Sequence, residues 1–171
     1  ITVSAGATTG TASFTPTDDN IYEGNETSIV AIDSVSGADA TEDGTQSVTI
    51  TITDNESAPT VTLTTSATSI AENAGSSLTL TATLSVATTA DVTVTLSTSG
   101  TGTEGTDYST ISDITVSAGQ TTGTVSFTPT DDSVYEGNET AVISISSVSG
   151  ADASESGSQS VTITIVENDS T

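Results

Sequence analysis

The side chains of this chain that could do chemistry are carboxylates, and they are concentrated in short segments. TDDNIYEGNE begins at residue 17 and a near copy, TDDSVYEGNE, begins at residue 130. Each segment holds four acidic side chains within nine residues. Further acids stand at 54–56 and 167–169, and in the short runs IAENAG and GTDY. Because carboxylate oxygens are hard ligands, dense groups of this kind are suited to divalent cations.

The residue types that most enzymes depend on are missing. The chain contains no His, Cys, Lys or Arg, so it has no imidazole base, thiolate, Schiff-base amine or oxyanion-binding cation. A pair of carboxylates could hydrolyse a glycoside, but such sites need a pocket, usually lined by aromatic side chains. Only five aromatic residues are present. We therefore expect a binding or structural protein and not an enzyme.

The net charge of −23 has no counter-ion within the chain, because no basic side chain exists. Like charges about 4 Å apart repel by about 4 kcal/mol near a protein surface. A fold that gathers these carboxylates must therefore bind cations or be weakened by self-repulsion. Oxygen-only ligands select Ca²⁺ over zinc or copper, and Mg²⁺ rarely uses dense carboxylate cages. The same charge argues against nucleic acid and anionic membranes as partners, and we expect no membrane insertion.

An internal repeat organises the chain. Residues 1–27 recur almost unchanged at 114–140, and the whole of 1–58 matches 114–171 at an offset of 113 residues. Residues 59–113 have no copy. We therefore predict a complete module at 59–171, preceded at 1–58 by the second half of another module. Either the chain is a window cut from a longer array, or strands of another chain or copy complete the first module.

The elements that must position the acids are strands. In SVTITI, Val48, Ile50 and Ile52 alternate with threonines, as in a half-buried strand. No segment has a helical period, and turn residues recur every 8–15 residues. A period of 113 residues fits a β-sandwich, so we predict an all-β fold. Other residues predicted to face the core are Val30, Ile32, Leu78, Leu80, Leu84, Val92, Val94, Leu96, Val125, Phe127, Ile143, Ile145, Val161, Ile163 and Ile165.

The order of the motifs resembles the Calx-beta family. The shared features are an early AENAG, then GTDY, then DDxxYEGNE, then acids after the last strand; they cover 59–171 and the matching half before it. The resemblance implies an immunoglobulin-like, seven-stranded antiparallel sandwich that binds several Ca²⁺ ions through loops at one end. Regulatory members carry three consecutive Asp at the end of the last strand, whereas Asn55 and Asn168 interrupt this run here. Fewer charges weaken calcium binding.

The resemblance assigns the metal ligands residue by residue. In the complete module they are Glu72, Asp107, Asp131, Asp132, Glu136, Glu139, Glu167 and Asp169. In the half module they are Asp18, Asp19, Glu23, Glu26, Asp54 and Glu56. We interpret the remaining acids as solvated surface charges. We also expect Tyr22 and Tyr135 to pack beneath their loops rather than to stack on sugars.

Two functional hypotheses remain open. The first is a calcium-stiffened stalk or fibre of an extracellular bacterial surface protein, whose partners are neighbouring modules or copies of itself in a filament. Its acids at 54–56 directly precede the first strand of the next module, where a bound ion would stiffen the joint. The second is an adhesion module that binds a glycan or a cell surface in a calcium-dependent way. A calcium-responsive regulator, as in exchanger members of the family, fits near-identical repeats less well.

Overall fold

Strands form the regular structure of residues 1–170, which the computed structural model describes. Within this range no helix has the length and hydropathy needed to span a membrane. The strands of the first half module are β1 (Ile21–Tyr22), β2 (Glu26–Ala31) and β3 (Ser47–Ile52). Those of the complete module are β4 (Thr60–Thr65), β5 (Ser69–Ala71), β6 (Leu78–Leu84), β7 (Ala87–Thr88), β8 (Val92–Gly100), β9 (Ile114–Val116), β10 (Thr122–Phe127), β11 (Glu139–Ser149), β12 (Ser154–Glu155) and β13 (Ser160–Val166).

Residues 59–170 form a sandwich of two sheets. One sheet has the order β10-β6-β4-β12 and the other has the order β5-β13-β11-β8-β9. The chain passes from the first sheet to the second between β4 and β5, so these two pieces act as one strand shared between the sheets. With β12 left aside as a two-residue edge piece, the sandwich has seven strands. The predicted all-β, seven-stranded sandwich is confirmed.

The core lies between these two sheets and follows the alternation of the sequence. Leu80 and Leu84 on β6 and Val92 and Val94 on β8 are buried, while the threonines between them are more exposed. Tyr108 and Phe127 stack with their ring centroids 4.9 Å apart. All of the buried hydrophobic side chains of the described residues lie between residues 61 and 165. The complete module therefore holds its own core, built by the two-residue periodicity of its strands.

The half module at 1–58 is a hairpin with a loosely held leading segment. β2 and β3 pair antiparallel, and the register runs from Glu26 opposite Ile52 to Ala31 opposite Ser47. Residues 1–20 form no strand, although 1–3 and 9–14 are the copies of β9 and β10. In the complete module β9 pairs with β8 and β10 with β6. Both partners come from 59–113, the part of the repeat that the half module lacks.

Apolar side chains of the half module are consequently exposed where their copies are buried. Phe14 is 45% exposed, whereas its copy Phe127 is fully buried. Val30 is 45% exposed, whereas its copy Ile143 is fully buried. The sequence pattern correctly predicts the core-facing residues Ile143 and Ile145 of β11, the copy of β2. The prediction that Val30, Ile32 and Val48 are buried is wrong for this chain, because the opposing sheet is absent.

One close backbone contact shows that the half module keeps the local shape of the complete one. A Cβ on Gly123 would overlap the Thr115 carbonyl, where β10 crosses beside β9. A Cβ on Gly10 would overlap the Thr2 carbonyl in the same way. Only glycine permits this approach. The turn between the two segments therefore forms even where no partner strands hold them.

The burial difference between the two copies leads to a matched test. Replacing Ile143 with Ala should lower the free energy of unfolding by about 2–5 kcal/mol, because it leaves a cavity in a packed core. Replacing its copy Val30 with Ala should lower it by less than about 1 kcal/mol, because that side chain is exposed. Chemical denaturation followed by circular dichroism measures both. Equal losses at the two positions would contradict the burial difference.

Candidate metal centre

Carboxylates from four separate segments converge at one end of the complete module. Three sets have carboxylate oxygens that all lie within 4.8 Å of one another. The sets share members, so they form one continuous group. The sets are Glu72 with Glu167 and Asp169, Glu72 with Asp132 and Glu136, and Asp107 with Glu136 and Glu139.

Backbone hydrogen bonds hold the two buried acids of this group. Glu72 directly follows β5, and its N–H donates to the Val166 carbonyl at 3.0 Å, which places it beside the end of β13. Asp107 lies in the GTDY turn, where its Oδ2 accepts from the N–H of Thr103 at 2.6 Å. The Asp107 carbonyl also accepts from the N–H of Thr130 at 2.9 Å, which ties this turn to the DDSVYEGNE loop. The backbone of Glu72 and the carboxylate of Asp107 are thus held in place by hydrogen bonds.

Glu167 organises the loops around the group. One carboxylate oxygen accepts from the N–H groups of Glu136 and Gly137 at 2.6 and 3.0 Å. The other accepts from the N–H groups of Asn168 and Asp169, each at 2.8 Å. These backbone donors, with that of Asp169 contributing most, lower the pKa of Glu167 to about 2. Glu167 therefore keeps its charge and joins the acidic loop to the end of the last strand.

The neighbouring acids are shifted in the opposite direction. Desolvation is the main cause that raises the pKa of Glu72, Glu136, Glu139 and Asp169, and repulsion from adjacent carboxylates adds to it. For Glu139 the repelling charges are those of Asp107 and Glu136. With no positive charge nearby, these groups favour the protonated form more than isolated glutamates or aspartates do. A bound cation would remove this repulsion.

The donor set fits calcium. Every candidate ligand is a carboxylate, and Ca²⁺ takes six to eight oxygen ligands at about 2.3–2.6 Å in flexible geometry. Oδ2 of Asp169 is buried and has no hydrogen-bond partner among the described residues. An unpaired buried carboxylate oxygen is costly, and a cation next to it would supply the missing interaction. When bound, the ion would supply positive charge among carboxylates that have no other counter-ion.

Seven of the eight residues assigned to the complete module belong to the three sets. The exception is Asp131, which is exposed, although its charge contributes to raising the pKa of Asp169. Asp107 of GTDY and Glu72 of AENAG are more than thirty residues apart in sequence. Each has a carboxylate oxygen within 4.8 Å of one of Glu136, which lies in the DDSVYEGNE loop.

The half module reproduces part of this arrangement. Asp54, the copy of Glu167, accepts from the N–H groups of Glu23 and Gly24 at 2.7 and 2.6 Å and from that of Glu56 at 2.9 Å. These donors, that of Glu56 first, lower the pKa of Asp54. All six residues assigned here line one cleft: Asp18, Asp19, Glu23, Glu26, Asp54 and Glu56.

No set of three carboxylates closes within 4.8 Å among the described residues of 1–58. Each set of the complete module contains Glu72 or Asp107, and both come from 59–113. The half module has no counterpart of either residue. Its site is therefore built on one side only.

Sequence reasoning missed two asparagines and misjudged a tyrosine. Oδ1 of Asn138 accepts from the N–H of Glu167 at 3.1 Å, and Asn25 does the same for Asp54 at 3.0 Å. The signal was present, because the Asn of EGNE is kept in both copies. Tyr135 does not pack beneath its loop as predicted, since it is 53% exposed.

The fold and this end together define a β-sandwich module with a loop-borne cluster of carboxylates. The model of the Calx-beta domain family matches residues 1–56 and 54–169. The chain belongs to the Calx-beta domain family, which confirms the resemblance seen in its motifs. A comparison with curated proteins found no match.

Two solved structures share the fold. The apo-form Calx CBD1 domain has a TM-score of 0.53 and 18% identity, over 64% of this chain and 99% of that chain. CBD12 from CALX1.2 has a TM-score of 0.51 and 18% identity, over 59% of this chain. This chain covers only 42% of the length of CBD12. At this identity the likeness concerns the architecture.

The pKa shifts predict an unusual pH dependence for the calcium-free chain. A carboxyl whose folded pKa is raised contributes stability at low pH, and this contribution is lost as the pH rises through the folded pKa. Glu72, Glu136 and Glu139 are of this kind. The melting temperature in chelator should therefore rise as the pH falls from 7 towards the ordinary glutamate value of 4.5. Below 4.5 it should fall again, as Glu167 is protonated towards its pKa of about 2.

Thermal melts in chelator at several pH values measure this dependence. With excess calcium the trend above pH 4.5 should reverse, because protons compete with the ion for the same oxygens. A chelated sample whose melting temperature falls steadily from pH 7 downwards would show that repulsion among these groups does not limit stability.

Proposed function

We propose that this chain is a calcium-binding structural segment, in which Ca²⁺ rigidifies the loops of each module and the joint between modules. The parent protein is an extracellular bacterial fibre, stalk or adhesin. The observation that carries the proposal is the continuous group of seven carboxylates at one end of the complete module, in a chain without a single basic side chain.

Electrostatics supports an ion at this end. Carboxylate oxygens within 4.8 Å of one another repel strongly wherever solvent is partly excluded. Glu72 and Asp107 are both buried, so water screens them poorly. The backbone hydrogen bonds that hold them and Glu167 keep the group assembled despite this repulsion. An arrangement that is held together at a cost is expected where a cation binds.

The position of the acids relative to the strands supports a structural role. Asp54 and Glu56 lie between β3, the last strand of the half module, and β4, the first strand of the next. Pro59 is fully buried, and its carbonyl accepts from the N–H of Ser154 at 3.1 Å. The packed part of the complete module therefore begins shortly after these acids. Loading the cleft with calcium would restrict the short segment that joins the modules.

The reduced charge of the closing acids favours an extracellular setting. Sites of extracellular modules bind calcium with Kd values of about 10⁻⁴ to 10⁻³ M, far weaker than cytosolic sensors. The interrupting Asn55 and Asn168 reduce the charge of the closing acids, which favours weak binding. Weak sites are filled only where calcium is abundant, as it is outside cells.

An adhesion module that binds a glycan through calcium is the alternative. Tyr135 favours it, because this exposed aromatic side chain stands beside Glu136. Sugar-binding sites usually present several aromatic faces, and the other tyrosine and phenylalanine of the complete module are buried in its core. A glycan array probed with and without calcium distinguishes the two functions.

Calcium should stabilise the chain and depend on the buried acids. At a free concentration about 100 times the Kd, the melting temperature should rise by about 10 °C relative to chelator. Glu72→Gln and Asp107→Asn should each weaken calcium binding by about tenfold or more, because each removes a fixed ligand charge. Asp113→Asn is the matched control, since Asp113 is exposed and belongs to none of the three carboxylate sets. Calorimetry measures the affinities, and an unchanged melting temperature would refute the proposal.

Assembly by strand complementation is supported by the exposed face of the half module. Phe14, Val30 and Ile32 are each 45% exposed, and their copies are buried against strands from 59–113. Strands of that kind, on whichever chain they lie, would cover this face and also supply the missing counterparts of Glu72 and Asp107. Chains completing one another in this way would form filaments.

A matched pair of substitutions on β2 tests complementation. Val30 belongs to the face whose copy is buried, whereas Ile29 points to the other face of the hairpin and is 70% exposed. If chains complete one another, oligomers should grow with concentration in calcium, and Val30→Thr should suppress them while Ile29→Thr should not. Sedimentation and electron microscopy follow the assembly. A single monodisperse species at all concentrations would contradict it.

A further inference from the structure

The contact between the half module and the complete module is built from few residues. β1 pairs in parallel with β7, with Ile21 opposite Ala87 and Tyr22 opposite Thr88. The Tyr22 hydroxyl donates to Oδ2 of Asp152 at 3.0 Å. Ile21 and Tyr22 are half-buried as a result. The strand that carries this contact lies within the acidic loop of the half module.

The complete module carries a copy of the Ile21–Tyr22 segment, and this copy is exposed. Val134 and Tyr135 are the copies of Ile21 and Tyr22, and they are 57% and 53% exposed. The backbone around them is held in the same way, because the Val134 N–H donates to Oδ1 of Asp132 at 2.7 Å and the Ile21 N–H donates to Asp19 at 2.8 Å. An edge segment of the same shape is therefore presented without its partner.

The turn that carries the accepting Asp152 carboxylate is also repeated in the chain, and its backbone is strained in both copies. Asp152 has a φ of 52° and follows Ala151 at 50°, and the copies Asp39 and Ala38 have φ values of 55° and 51°. Two successive non-glycine residues with positive φ cost free energy. Both turns are closed by the same backbone bond, from Ala153 to Gly150 and from Ala40 to Gly37, each at 3.0 Å. The turn that places the accepting carboxylate is thus kept in both copies.

We propose that Val134 and Tyr135 form a docking surface for one further module of this kind. Its Ala-Thr edge strand, equivalent to β7, pairs in parallel with 134–135. Its Gly-Ala-Asp-Ala turn, equivalent to 150–153, receives the Tyr135 hydroxyl on the Asp. Every joint of the array then has the geometry of the joint between 1–58 and 59–171, and the exposed tyrosine is a connector and not a sugar-binding residue.

The spacing of the repeat allows this. Joining residue 171 directly to a second copy of 59–171 preserves the 113-residue offset, so Tyr135 stands as far along the chain from the new module as Tyr22 does from the present one. The inference rests on the proposed function only in assuming that modules follow one another. It does not require calcium at the site.

Distances across the two joints of this lengthened chain test the inference. The protein contains no cysteine, so pairs of introduced cysteines can be spin-labelled without background. Exposed strand positions serve: Thr49 with Thr64 across the first joint, and Thr162 with Thr64 of the added copy across the second. Both distance distributions should be narrow and have the same mean. Tyr135→Ala should broaden the second by about twofold or more and leave the first unchanged, and Tyr22→Ala should do the reverse.

Asp152→Ala in the added copy should broaden the distance distribution across the second joint, as Tyr135→Ala does. Asp39→Ala is its matched control, because Asp39 occupies the equivalent position in the turn of the half module and is exposed. Melting curves of each variant confirm that it folds. The inference would be overturned if the distance distribution across the second joint is broad in the unsubstituted protein, or if Tyr135→Ala does not change it. If both distance distributions are narrow but calcium does not change the melting temperature, the inference is supported and the calcium role is refuted. The two failures are therefore distinguishable.

Discussion

The structure of this protein depends on mutual repulsion among carboxylates that no side chain of the chain can neutralise. The sandwich brings acids from four segments to one end, and backbone N–H groups hold Glu167 charged at their centre. The cost appears in Glu72, Glu136 and Glu139, whose pKa values are raised by desolvation and by one another. A chain of net charge −23 therefore gathers its charge locally, and the proposed calcium ions relieve the repulsion.

The same part of the module, residues 59–113, completes both the fold and the carboxylate site. The first half of the module supplies β4, β5, β6 and β8 for the two sheets, and it also supplies either Glu72 or Asp107 to each carboxylate set. Residues 1–58 lack both, so Val30 stays exposed and Asp54 keeps its backbone donors without a closed set of carboxylates around it.

The acidic loop has two tasks at once. Its carboxylates face the site, while the pair Ile21 and Tyr22 faces the next module through a short parallel strand. Both groups lie on one loop, whose Glu23 and Gly24 N–H groups donate to the Asp54 carboxylate.

The sequence by itself determined the all-β class, the 113-residue period and the acidic loop segments, because strand periodicity and repeated loops are local features. The convergence of acids from separate segments was implied by the resemblance to the Calx-beta family. It also predicted the core-facing residues Leu80, Val92 and Ile143 of the complete module, which are buried. It did not determine that Val30 and Phe14 are exposed, because burial depends on strands that the pattern cannot supply. Tertiary structure alone decided that the N–H groups of Glu136 and Gly137 reach Glu167 and that Tyr22 contacts Asp152, since both contacts join segments that are far apart in sequence.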